Sequence, residues 1–133
     1  MTRDKELFSK YPKIFAQVGG TPQQTCMAWG CECGDGWFDL LDNLCAAIQA
    51  RCDSSDCPQV VAEQVKEKFG TLRFYYSGGD EEVERLIAEA EDKSEVTCER
   101  CGQAGTLRGG GWIYCSCDKC DPKNKAVFNQ EKP

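Results

Sequence analysis

Apolar residues fall at two different periods along the chain, and the switches between them divide it into elements. Between residues 4 and 17, DKELFSKYPKIFAQ, Leu7, Phe8, Tyr11, Ile14 and Phe15 recur at helical spacing. A short docking helix is expected there, broken or kinked by Pro12, which lacks the N–H that a helix interior needs. Gly19-Gly20-Thr21-Pro22 turns the chain, and TCMAWGCECGDG after it reads as loop. The clearest helix starts at Asp35-Gly36 and spans 36–51, with Trp37, Leu40, Leu41, Leu44, Cys45 and Ile48 on one stripe and Asp39 and Asp42 on the opposite, solvated face. Residues 60–77, VVAEQVKEKFGTLRFYYS, divide at Gly70-Thr71 into two arms rich in Val, Phe and Tyr, which predicts a β-hairpin. Helix competes for its first arm, because Glu63, Gln64, Lys66, Glu67 and Lys68 are good helix formers. Over 80–93, Asp80, Glu81 and Glu82 place negative charge in a first helical turn, and Val83, Leu86, Ile87 and Ala90 supply the stripe. The pattern as a whole predicts an α+β domain over 1–97, a small unit over 98–121 and a polar tail over 122–133.

The small unit carries the sharpest chemical signal. Cys98 and Cys101, then Cys117 and Cys120, form C-x2-C-x15-C-x2-C. Short Cys-x-x-Cys spacing lets two thiolates reach one cation, and Gly102 can adopt the positive φ that closes such a knuckle. The glycine run 109–111 and Trp112-Ile113-Tyr114 between the pairs suit a turn and a returning strand, the layout of a zinc ribbon. Cys115 is surplus, because it makes no knuckle spacing with Cys120. Four thiolates saturate tetrahedral Zn2+ and leave no position for water, so the expected role of the metal is structural.

Eleven cysteines in 133 residues would suit a disulfide framework, but the count is odd and five of them lie in the metal-type region. Reduced thiols are the better expectation. Cys26, Cys31, Cys33, Cys52 and Cys57 raise a second metal site, against the alternative of scattered thiols acting as small buried hydrophobes; Cys45 sits within a core stripe. The sequence holds no histidine, which removes Ser/His and Cys/His nucleophile pairs, histidine bases and every imidazole-containing catalytic zinc set. No small-molecule substrate is evident. The charged start and the lack of a long apolar run predict a protein without a membrane span that stays in the compartment where it is made.

The formal charge of −6 is matched by one segment, 80–97, where Arg85 and Lys93 face eight carboxylates. An acidic whole argues against non-specific DNA binding, which neutralises phosphates. One strip is locally basic: Lys66, Lys68 and Arg73 interleave with Phe69, Phe74, Tyr75 and Tyr76. That pattern suits a stacking platform for single-stranded nucleic acid, or an ordinary two-faced hairpin with aromatics inward and charges outward.

CGDGWFDLLDNLC, VVAEQVKEKFGTLRFYYSGGD, CERCG, GGGWIY and CDKC together resemble a family of small zinc-ribbon proteins encoded by tailed bacteriophages and prophages, with KEKFGTLRFYY the most specific part. The resemblance covers most of 33–120. It implies Cys98, Cys101, Cys117 and Cys120 as ligands of Zn2+ and a phage gene expressed in a bacterial cytoplasm. The chain departs from the family pattern in Cys26, Cys31, Cys52, Cys57 and Cys115 and in the acidic helix after Asp80. The resulting expectation is a non-enzymatic phage accessory protein that binds a macromolecule, first a host or phage protein, with inhibition of a host defence or host enzyme as the kind of action expected; the alternative is a nucleic-acid-binding ribbon module that uses the basic aromatic hairpin.

Overall fold

The first helix is shorter than its apolar spacing suggests. In the computed structural model, which describes residues 1–123, α1 spans Asp4–Lys10 and stops at Tyr11. Tyr11 precedes Pro12, whose ring disfavours helical backbone in the residue before it. Ile14 and Phe15 are still buried, but from turns, and the Ile14 carbonyl accepts the Ala62 N–H at 2.7 Å. The end of α1 is tied down by Asp42, which accepts from Lys10 Nζ at 2.7 Å and from Tyr11 Oη at 2.6 Å. Asp42 is therefore a half-buried anchor and not a member of a free solvated face. The Lys10 ammonium and the Tyr11 hydroxyl hold its carboxyl below the usual range.

A short strand, β1 (Cys31–Glu32), follows, and then α2 (Phe38–Ser54), entered through a 3-10 turn at Asp35–Trp37. Trp37, Leu41, Leu44, Cys45 and Ile48 are buried, as the stripe requires. The hairpin is formed by β2 (Val61–Lys68) and β3 (Thr71–Ser77), so strand prevails over helix in 60–69. The reason is pairing: Val65 faces Phe74 and Glu67 faces Leu72 across the ladder, and such contacts outweigh the modest helix preference of the glutamates and lysines. A bulge between Ala62 and Gln64 gives β2 one extra residue, so Ala62 and Val65, three apart, both point inward. Strand β1 joins β2 in parallel, giving the order β1-β2-β3.

Helix α3 (Glu81–Ser94) begins with Asp80 as its cap, which accepts the Val83 N–H at 3.1 Å while pairing with Arg51 at 2.9 Å. α2 packs on α3 and α3 on β3, around a core that includes Trp37, Leu41, Ile48, Val60, Val65, Leu72 and Val83. Helix α3 also covers the free edge of β3. Ser94 Oγ accepts the Leu72 N–H at 2.8 Å, and Glu91 Oε2 accepts the Phe74 N–H at 3.1 Å. Unpaired strand edges invite aggregation, and two side chains of α3 close this one. Ser94→Ala should thus cost roughly 1–3 kcal/mol, because it orphans a buried donor. A urea midpoint within error of the parent would contradict that role for Ser94.

Strands β4 (Thr106–Arg108) and β5 (Tyr114–Ser116) form a separate antiparallel pair. The returning strand thus starts later than the aromatic run: Trp112 lies in the connecting loop, largely exposed. No helix among the described residues is long and apolar enough to cross a membrane. Beyond Lys123 the expected polar tail lies outside the described residues.

Candidate metal centre

Each Cys-x-x-Cys pair is shaped by its own backbone. In the first, the Gly102 N–H bonds to the Cys98 carbonyl at 2.9 Å, and Gly102 takes φ +84°. In the second, the Asp121 N–H bonds to the Cys117 carbonyl at 3.0 Å, and the Cys120 N–H points at Cys117 Sγ at 3.3 Å. The β4–β5 pairing brings the two turns together. The four sulfurs of Cys98, Cys101, Cys117 and Cys120 all lie within 4.8 Å of one another, with Cys101 and Cys117 Sγ 3.6 Å apart.

That spacing distinguishes a metal site from a disulfide. Bonded sulfurs stand about 2.05 Å apart, whereas a tetrahedron with metal–sulfur bonds of about 2.3 Å has edges of about 3.8 Å. The donor set fits a four-coordinate metal ion. Its electrostatics point the same way. Burial opposes ionisation of Cys98, yet the backbone N–H groups of Cys101, Arg100 and Cys117 and the Ser116 hydroxyl more than offset it and pull the thiol down. Cys117 is also lowered, first by the Cys120 N–H. Cys120 is raised, first by its contacts with the Cys117 and Cys101 sulfurs. Donors thus favour thiolate at one member of each pair, and a bound cation would deprotonate the rest.

The centre is docked against the core. Cys98 is fully buried. Gly36 N–H bonds to the Glu99 carbonyl at 2.8 Å, Gly34 N–H to Glu99 Oε2 at 2.7 Å, and Trp37 Nε1–H to the Thr97 carbonyl at 2.9 Å. The CGDG stretch before α2 is thus a seat for the first knuckle. Its glycines are needed there: a Cβ on Gly34 or Gly36 would come within 2.3 Å of a backbone carbonyl oxygen, that of Glu99 or Cys98 respectively. Burial raises the Glu99 carboxyl, although the Gly34 N–H works in the other direction.

No protein-family model matches the chain, and neither a curated protein nor a solved structure matches it.

Among the described residues, Cys98, Cys101, Cys117 and Cys120 are the one group of three or more potential ligands with mutually close donor atoms. Cys26, Cys31, Cys33, Cys52 and Cys57 are not gathered into another. Cys26 is exposed; Cys31 and Cys33 are buried in and after β1, and desolvation raises both thiols, that of Cys31 to about 12. Cys52 and Cys57 approach each other at 3.7 Å near the end of α2, as a pair only. Cys115 stands outside that group, its Sγ directed at the Glu95 carbonyl at 3.4 Å, and burial pushes its thiol up to about 12.

The hairpin residues separate by face. Lys66 pairs with Arg73, Gln64 with Tyr75 and Lys68 with Thr71 on the outer face, whereas Tyr76 lies on the inner face with Phe74, their ring centroids 6.2 Å apart. Tyr76 is therefore removed from the basic strip, because alternation along β3 turns it inward. Arg108 is the residue that pattern reading missed. It is 2% exposed and donates from Nε to the Ser116 carbonyl at 3.0 Å, from Nη1 to the Asp121 carbonyl at 2.7 Å and from Nη2 to Asp118 Oδ1 at 2.7 Å. Those acceptors bracket Cys117 and Cys120. A lone arginine between a leucine and three glycines carries no motif to find it by.

Proposed function

We propose that the chain is a non-enzymatic binding protein whose ribbon is held by one structural Zn2+. The observation that carries this reading is the cluster of four sulfurs within 4.8 Å of one another, seated on the entrance to α2. Four thiolates complete the coordination of zinc, so the metal orders the chain without offering a position to substrate. Iron also accepts four thiolates in tetrahedral geometry, and metal analysis of the purified protein distinguishes the two. Reduced thiols agree with a reducing compartment such as a bacterial cytoplasm. A phage origin, a protein partner and inhibition of a host enzyme or defence rest on the sequence resemblance.

Cobalt substitution tests the closed site. The Co2+-loaded protein should show an intense tetrahedral thiolate spectrum that added imidazole or cyanide leaves unchanged. A spectrum that shifts on adding either ligand would reveal an open position and overturn the structural role.

A further inference from the structure

We propose that the groove between the hairpin tip and the ribbon loop takes single-stranded nucleic acid, one base lodging against Phe69 and Trp112 and the neighbouring phosphates meeting Lys66 and Lys68. The proposal rests on the binding-protein reading and names its partner class.

The groove has a volume of about 220 Å3 and is lined by Lys66, Glu67, Lys68 and Phe69 on one side and Gly111, Trp112 and Ile113 on the other. Pockets that enclose a whole small molecule run to roughly 300–1,000 Å3, so this one suits a single planar group of a larger ligand. Phe69 and Trp112 are 62% and 75% exposed. Both side chains reach solvent, Lys68 Nζ lies 5.7 Å from the Phe69 ring centroid, and every base has a π-face that can stack on an exposed ring.

Phe69 is the more informative of the two. It occupies the two-residue turn between Lys68 and Thr71 with φ +54°, followed by Gly70 at φ +82°. Such a turn favours Asn or Gly at its first position, and a bulky side chain there is strained. Burial does not compensate for the strain. Residues kept in unfavourable backbone at exposed sites point toward a role in binding.

The two walls come from different elements and are held in register. Gly70 is buried under the ribbon, where a Cβ would stand 2.6 Å from Leu107 Cδ2 and 3.2 Å from the Tyr114 carbonyl carbon. The loop that carries Trp112 turns at Gly109, φ +94°, where a Cβ would stand 1.9 Å from the Trp112 carbonyl oxygen. The groove is therefore presented as a formed feature and needs little ordering on binding.

Charge selects an anion. Lys66 and Lys68 line the groove, and Arg73 pairs with Lys66 across the ladder on the same face. Glu67 accepts the Gly70 N–H at 2.8 Å, which ties its carboxylate to the turn, and Glu32 of β1 stands opposite Lys66. Most of the acidic excess lies on α3, which runs along the β3 edge, away from the β2–ribbon side that lines the groove.

The test is fluorescence anisotropy of labelled oligo(dT) and oligo(U) with the zinc-loaded full chain at several salt concentrations. Saturable binding is expected, with a slope of log K against log salt near −1.4 to −2.1 for two or three phosphate contacts, each contributing about −0.7. Trp112→Ala should weaken binding roughly 5- to 160-fold, the range for a lost base-stacking contact of about 1–3 kcal/mol. Phe69→Asn should weaken it as well while raising the melting temperature by about 3–5 °C, because the strained turn relaxes. A merely structural Phe69 would not separate stability from binding in this way. Failure of both oligonucleotides to bind, or equal binding by Trp112→Ala, overturns the proposal. Capture of a stoichiometric protein that survives nuclease and is lost in Trp112→Ala also overturns it, while leaving the binding-protein reading intact. Substrate turnover abolished by a point change that spares folding would instead overturn that reading.

Discussion

Cys98→Ser/Cys101→Ser should lose the proposed metal and unfold the ribbon. Structural zinc in finger-type sites contributes on the order of 10–16 kcal/mol of apparent binding free energy, comparable with the whole stability of an ordinary domain, about 5–15 kcal/mol. The two-stranded β4–β5 pair is too small to persist without it. The damage should not stop at residue 98, because Glu99 and Thr97 bond to Gly34, Gly36 and Trp37 at the entrance to α2. Trp37 is fully buried, so its emission should shift to the red in the variant, and chelation of the parent protein should reproduce the shift. Acid should act in the same direction as chelation. Thiolates must be deprotonated to bind metal, so protons compete as pH falls and metal is released on the acid side. One metal ion per chain retained by the double variant would rule out the ligand assignment.

Arg108→Ala is the second large effect. The guanidinium is buried and holds the Ser116 and Asp121 carbonyls on either side of the second knuckle. Charge-assisted hydrogen bonds to buried acceptors contribute roughly 1.5–3 kcal/mol each, whereas the Asp118 pair adds little, since that carboxylate is 80% exposed. A loss of about 3–5 kcal/mol is expected in a urea titration of the zinc-loaded protein. Zinc affinity, read by competition with a chromogenic chelator, should fall roughly 10- to 100-fold, as when the hydrogen bonds that orient metal ligands are removed. Arg108→Lys should recover only part of either quantity, because the three N–H groups of an ammonium radiate from one nitrogen and cannot span acceptors that Arg108 reaches from Nε, Nη1 and Nη2. Full recovery by lysine would mean that charge alone matters at this position.

The four-cysteine cluster was legible because its information is local: two short spacings and a glycine define knuckles wherever the rest of the chain goes. The helical stripes of α2 and α3 were legible for the same reason, since Trp37, Leu41, Cys45 and Ile48, and Val83, Ile87 and Ala90, repeat at the helical period. What the pattern could not give depends on partners distant in sequence. Asp42 looks solvated on a helical wheel and becomes an anchor only when Lys10 and Tyr11 arrive from another segment. The strand over 61–68 is decided by β3, not by its own propensities. Tyr76 belongs to the hairpin's aromatic run, yet strand alternation, with the bulge beside Ala62, places it on the face opposite Tyr75. Arg108, Glu91 and Ser94 act through backbone groups of other elements, and backbone acceptors leave no trace in a residue pattern. The docking of the first knuckle onto Gly34 and Gly36 was half visible: the glycines stand in the sequence, but the carbonyls they make room for lie more than sixty residues away.

The central claim, a closed zinc centre made by Cys98, Cys101, Cys117 and Cys120, is tested most directly by X-ray absorption at the zinc edge on the purified protein. It should show one zinc per chain with four sulfur neighbours at about 2.3 Å and no oxygen or nitrogen in the first shell. Fewer than four sulfurs, a light-atom neighbour, or stoichiometric iron in place of zinc would contradict it.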